Sequence, residues 1–180
     1  MTDQAAFQVL ATLAASSRQF ARGLPAQGDV VPRWSGVGFS FLGFQFVTPI
    51  GQVAELLEVP PSTRLPGVHP WVIGLSNVRG RLLPLFDLAM FYGGKLAGLR
   101  KQHRVLVVES DNLYSGLLVD RAFGMQHFSV DSYSEASDEL PEVLQPYIHG
   151  SYRDASGSSW FVFNVAALVE EPRFANAALG

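Results

Sequence analysis

From Trp34 onward the chain is a succession of short β-prone runs, each closed by glycine, proline, asparagine or aspartate, and such punctuation leaves no room for long helices. Phe39 and Phe41 alternate with Gly38 and Ser40, Phe44 and Phe46 flank Gln45, and Gly43 marks the bend of a hairpin. Val53, Leu56, Leu57 and Val59 continue that run until Pro60-Pro61, where the ladder loses its donors. Residues 71–75 and 82–86 read as a second hairpin through Asn77-Val78-Arg79-Gly80, and residues 105–108 and 114–119 as a third through Asp111-Asn112. Residues 123–130 read as a further strand. Residues 148–153 and 160–163 flank the turn Asp154-Ala155-Ser156-Gly157, and 165–171 reads as a short helix. The sum is about ten strands in two groups of about five, each group suited to closing as a small barrel.

The uncharged run 34–54 approaches the length of a bilayer span, but four glycines, Gln45, Gln52 and Pro49 interrupt it, so strands are the better reading. Ahead of it, Phe7, Leu10, Leu13 and Phe20 fall at helical spacing over 3–22, and Pro25, Gly28, Asp29 and Pro32 make 24–34 a linker. The first residues carry no basic stretch of the secretory kind. Domain expectations are therefore a helix and linker over 1–34, a β domain over 35–171, and a loose tail over 172–180.

Chemistry is sparse. The chain has no cysteine, which excludes disulfides, thiolate metal sites and a cysteine nucleophile. Net charge −3 and a pI near 5.8 supply no uniform positive field for a phosphate backbone, so nucleic acid is not an expected partner. His69, His103, His127 and His149 are widely separated and none forms a local ligand motif, and no phosphate-cradling glycine loop or nucleophile elbow is present. The acidic stretch 131–142 holds five carboxylates and no base and reads as a solvated face. Asp87 and Asp120 each end an apolar run; they suit backbone-amide acceptance at a strand end better than a catalytic acid and base pair. Arg79 on its turn suits either an internal carboxylate or a partner. A small-molecule-binding barrel or hydrolase using Asp87, Asp120 and a histidine is the competing reading to a protein-binding module with no reactive group.

The order of motifs carries a family resemblance. Val53-Ala54-Glu55-Leu56-Leu57, Leu65-Pro66-Gly67, Pro70-Trp71-Val72-Ile73-Gly74 and Ser76-Asn77-Val78-Arg79-Gly80-Arg81-Leu82-Leu83-Pro84-Leu85-Phe86-Asp87-Leu88 follow one another as in the CheW-like coupling domain. Gly116-Leu117-Leu118-Val119-Asp120, Tyr147-Ile148-His149-Gly150 and Trp160-Phe161-Val162-Phe163-Asn164 resemble its later markers, so 37–170 is covered. The stretch Pro66-Gly67-Val68-His69-Pro70-Trp71-Val72 with Asn77-Val78-Arg79-Gly80 is most similar to the PilI-like version of twitching-motility chemosensory systems; Val78 stands where the family usually has leucine.

The resemblance implies an all-β fold of two five-stranded SH3-like barrels, placed at about 35–92 and 103–171. It implies a cytoplasmic, non-enzymatic adaptor without cofactor and without direct membrane insertion, held in receptor arrays at the inner membrane. The implied partners are the hairpin tip of a methyl-accepting chemoreceptor and the regulatory domain of a CheA-type histidine kinase. The receptor groove would involve Val53, Arg79, Val105, Leu106, Gly116 and Ala122, and kinase docking would involve Glu55 and Gly74.

Overall fold

The computed structural model describes residues 31–111, 113–135 and 138–177. The helix expected over 3–22 lies outside them. All described residues except Val31 belong to the compact unit that begins at Pro32.

Strands β1 (Arg33–Phe41) and β2 (Phe44–Pro49) form the first hairpin, turning on Leu42 and Gly43 with φ of 53° and 82°. Two successive positive φ values give a primed two-residue turn whose twist matches the flanking strands. Next come β3 (Glu55–Glu58), β4 (Val72–Val78) and β5 (Arg81–Asp87), then β6 (Arg104–Ser110) and β7 (Leu113–Val119). The chain continues through β8 (Arg121–Ser129), β9 (Tyr133–Ser134), β10 (Ile148–Arg153) and β11 (Ser159–Phe163). Short α-helices α1 (Leu88–Phe91), α2 (Val165–Val169) and α3 (Pro172–Ala175) follow β5 and β11, and single 3-10 turns lie at Arg100–Gln102, Val130–Ser132 and Gln145–Tyr147. The two-residue β9 lies inside the acidic stretch read as a solvated loop and pairs with β10.

The strands form two sheets, but the sheets do not follow the halves of the chain. One has six strands in the order β8-β1-β2-β11-β10-β9, and the other five in the order β3-β6-β7-β5-β4. The five-stranded sheet is thus a contiguous insertion over 55–119 between β2 and β8 of the six-stranded one. This corrects the barrel boundaries 35–92 and 103–171. The physical reason is that two parallel pairings, Phe46 with Phe161 and Leu85 with Gly116, join strands far apart in the chain. Turn chemistry reports only antiparallel neighbours. The extension of the first hairpin through 53–59 also fails, because β3 pairs with β6 in the other sheet.

Alternation within the strands splits the interior into three. On β6, Leu106 and Val108 enter a core shared between the sheets while Val105 and Val107 enter the concave side of the five-stranded sheet. On β11, Phe161 and Phe163 face the shared core while Trp160 and Val162 pack with Val47, Phe128 and Tyr152 inside the six-stranded sheet. The central strands β6, β7 and β11 are therefore buried on both faces, which is why they read as nearly unbroken apolar runs. The shared core is aromatic: Phe41 and Phe46 stack at 4.5 Å between ring centroids, and Phe39 and Phe163 each lie 5.7 Å from Phe46.

The segment after Pro172, expected to be loose, forms α3 and is anchored. Phe174 is buried against Trp71, Phe86 and Phe91, and the His69 amide donates to the Ala177 carbonyl at 3.1 Å. Burying one aromatic ring contributes about 2 kcal/mol, which offsets part of the cost of ordering the segment.

The turn between β10 and β11 is held by one carboxylate. Asp154 Oδ1 accepts from the Ser156 amide at 2.8 Å, the Ser156 hydroxyl at 2.6 Å and the Ser158 amide at 3.0 Å, while Oδ2 accepts from Trp160 Nε1 at 2.9 Å. These donors, led by the Ser156 hydroxyl and Trp160, hold the Asp154 carboxyl down to about 2. A depressed folded-state value stabilises the fold above the unfolded value near ~3.9, and the contribution is lost as pH falls toward the folded value. Asp154→Asn should therefore lower the urea midpoint at pH 7 and flatten its decline between about pH 4 and 2, as read by circular dichroism.

Candidate protein-binding surface

The turn from β4 to β5 is as tight as that of the first hairpin. Arg79 and Gly80 adopt φ of 52° and 81°, and the Gly80 amide donates to Asn77 Oδ1 at 2.9 Å. A left-handed arginine is uncommon and is held here by the ladder on either side. Its guanidinium reaches back to β3 as a two-pronged fork: Nη1 donates to Glu55 Oε2 at 2.9 Å and Nη2 donates to Glu55 Oε1. Glu55, by hydrogen bonding and by charge, raises the Arg79 guanidinium above its ordinary value. The Arg79 side chain remains 72% exposed, so the pair is a fixed but accessible surface feature.

A second pair stands at the same end of the five-stranded sheet. Arg81 Nη1 lies 2.8 Å from Glu109 Oε1, and the Arg81 guanidinium sits 3.9 Å above the Tyr114 ring. Leu82, next in the chain, is 64% exposed. Four strands, β3, β5, β6 and β7, thus bring Glu55, Arg81, Glu109 and Tyr114 to the sheet end that the Arg79 turn caps.

Beside Glu109 a cleft of about 500 Å³ opens where the sheets meet. One wall comes from Val108, Glu109 and Leu113, and the other from Ala166, Val169 and Ala175. Gln52 closes it and ties β2 to the start of α2: its Oε1 accepts from the Thr48 hydroxyl at 3.0 Å and the Val165 amide at 2.9 Å, and its Nε2 donates to Asn164 Oδ1 at 3.4 Å. The cleft is apolar with a polar rim, the composition of a site for another polypeptide.

The residues that the family resemblance assigned to the groove do not form one surface. Arg79 is exposed, and Val53 and Ala122 are half-buried at the margin of the shared core. Val105 and Leu106 are fully buried in different cores, and Gly116 is buried where an added Cβ would come within 2.7 Å of Leu85 Cδ2 and Val105 Cγ1. These three shape the sheet from inside and present no side chain to a partner. Of the residues assigned to kinase docking, Glu55 is the partner of Arg79. Gly74 is buried under Thr63, with its neighbour Leu75 exchanging backbone hydrogen bonds of 2.8 and 2.9 Å with Thr63. The sequence reading missed Arg81, Glu109 and Tyr114; their signal was the register that sets the start of β5 beside the β6–β7 turn.

Asp87 and Asp120 are spent on structure. Asp87 Oδ1 accepts from the Met90 amide at 2.8 Å and caps α1, and Asp120 Oδ1 accepts from the Ala97 amide at 2.6 Å. Burial raises both carboxyls above their usual range, opposed by those amides and by the nearby His103. His127 lies elsewhere, on β8, with Nδ1 2.6 Å from the Ser35 hydroxyl. Among the described residues no group of three histidine or carboxylate side chains is disposed to hold a metal ion, and no helix is long and apolar enough to cross a membrane.

Comparison with known proteins agrees with this architecture. The CheW-like domain family matches residues 35–173. Protein PilI of Pseudomonas aeruginosa is 48% identical over 176 residues, covering 98% of each chain. Chemotaxis protein CheW of Helicobacter pylori is 31% identical over 85 residues, 47% of this chain and 52% of its own. The crystal structure of the scaffolding protein TtCheW from Thermoanaerobacter tengcongensis superposes with a TM-score of 0.66 at 20% identity, covering 79% of this chain and 96% of that one, which shows a shared fold. With two curled sheets around one shared core and the ordered motifs from Val53 to Asn164, the chain belongs to the CheW-like domain family.

Proposed function

We propose that this chain is a non-enzymatic adaptor that couples a methyl-accepting chemoreceptor to a CheA-type histidine kinase, in the chemosensory system governing type IV pilus twitching motility. The observation that carries the reading is the Arg79–Glu55 fork at the end of the five-stranded sheet, next to a second ion pair and an apolar cleft. A fixed arrangement of this kind recognises shape and charge and needs no reacting group. The cleft bordered by Val108, Leu113 and Val169 offers an apolar lining for side chains of a receptor hairpin tip, and the Glu55 edge of β3 suits a homologous barrel of the kinase. Such an adaptor works in the cytoplasm, against arrays at the inner membrane.

The test is pull-down and calorimetry of the purified chain with a receptor hairpin fragment and with the kinase regulatory domain. Arg79→Glu and Glu55→Arg should each weaken binding of at least one partner by about tenfold or more, and the exchanged double variant should recover part of it. Asp87→Asn and His127→Ala, if folded, should bind as the parent does. Binding of neither partner by the parent chain refutes the proposal.

A further inference from the structure

The opposite end of the five-stranded sheet carries a different surface. Between Asp87 and Glu109 the sequence has no carboxylate, yet it holds Lys95, Arg100, Lys101, His103 and Arg104 in a chain of net charge −3. Register puts this loop at the end marked by Arg104 opposite Val119, whereas the Arg79 turn lies at the end marked by Ser110 opposite Leu113. Six residues of extended strand separate the two ends, roughly 20 Å.

The loop is held rigidly. The Ala97 amide donates to Asp120, His103 Nε2 donates to the Ala97 carbonyl at 2.9 Å, and Arg104 Nη1 donates to the carbonyls of Lys101 and His103 at 2.9 and 2.8 Å. Arg104 is thereby committed to the loop, with Glu58 4.0 Å away. Lys95, Arg64, Arg100 and Lys101 have no carboxylate partner among the described residues. Arg64 comes from the connection after β3 and meets Arg100 and His103 around a cavity of about 400 Å³. Its walls are Val59, Ile73, Leu96 and Leu118, and Asp87 lies within it. Leu99, in the same loop, is 60% exposed.

We infer that this surface is a second docking site, for an acidic polypeptide segment that carries an aliphatic side chain among its carboxylates. Unpaired arginines around an apolar cavity match a carboxylate beside a leucine-sized anchor, and a pre-organised loop loses little freedom on binding. Nucleic acid and anionic lipid fit less well. Duplex nucleic acid offers the cavity no aliphatic side chain beside its phosphates, and the acyl chains of an anionic lipid stay in the bilayer, away from the headgroup that would meet the arginines.

The experiment is fluorescence anisotropy with the full chain and a labelled peptide of repeating Glu-Glu-Leu units. Expected is saturable binding that weakens with salt and falls about tenfold or more in Arg64→Glu/Arg100→Glu, with Arg33→Glu unchanged. Lys101→Glu, a single exposed change, should give a smaller loss in the same direction, and circular dichroism verifies the fold of each variant. Absence of peptide binding by the parent chain overturns the inference. So does equal binding by the double variant, or tighter binding of duplex DNA or phosphatidylserine vesicles than of the peptide.

Discussion

Gly74→Ala should lower the unfolding free energy by roughly 3 kcal/mol, from backbone strain together with steric displacement of a neighbouring segment. Gly74 holds φ at 146°, a region that side chains rarely enter. An added Cβ would also overlap the Thr63 carbonyl oxygen and approach its carbon to 2.8 Å and Arg64 Cα to 3.2 Å. Those atoms are backbone and have no rotamer to yield. Thr63 closes the outer edge of β4 through its paired hydrogen bonds with Leu75, so displacing it opens that edge. Urea denaturation followed by circular dichroism checks the loss. The same variant bears on the assignment of Gly74 to kinase docking: in the folded fraction, a position that acts through the β4 edge should leave affinity for the regulatory domain within about threefold of the parent. A much larger fall with the fold intact would restore a direct contact there.

Phe46→Ala should cost about 3–5 kcal/mol, a large part of the stability of an ordinary domain. Phe46 is fully buried and its ring neighbours those of Phe39, Phe41, Phe44, Phe161 and Phe163. Its strand also supplies the parallel pairing to β11, so the cavity would fall at the centre of the six-stranded sheet, where the first hairpin meets the last. Phe46→Leu, which keeps most of the volume, should cost less than half as much. Equal losses for the two variants would show that the site collapses around any change and that the aromatic cluster has no special packing there.

Much of this fold was legible because its turns are local. Leu42-Gly43 and Arg79-Gly80 announce their hairpins within a few residues, and Asp87 and Asp120 at strand ends took the backbone-acceptor role their positions suggested. The partition into sheets was not legible, since Phe46 beside Phe161 leaves no trace in the sequence of either strand. The anchoring of the tail was missed because Phe174 alone gives no periodicity. For the site, the resemblance supplied Arg79 and Glu55, which the structure joins. It also supplied Val105 and Leu106, although successive residues of one strand point to opposite faces and cannot both line one groove. That alternation was readable in advance.

The nested arrangement of the sheets has a consequence for how a ribosome delivers this protein. The inserted sheet over 55–119 is complete as soon as its own residues emerge, while Phe46 must wait about 115 residues for Phe161. At ~5–20 residues per second that is roughly 6–23 seconds during which the first hairpin holds greasy rings without their final lid. Nascent chains stalled before β11 should therefore engage holdase chaperones through β1 and β2 and through the face of the inserted sheet that Phe161 and Phe163 later cover.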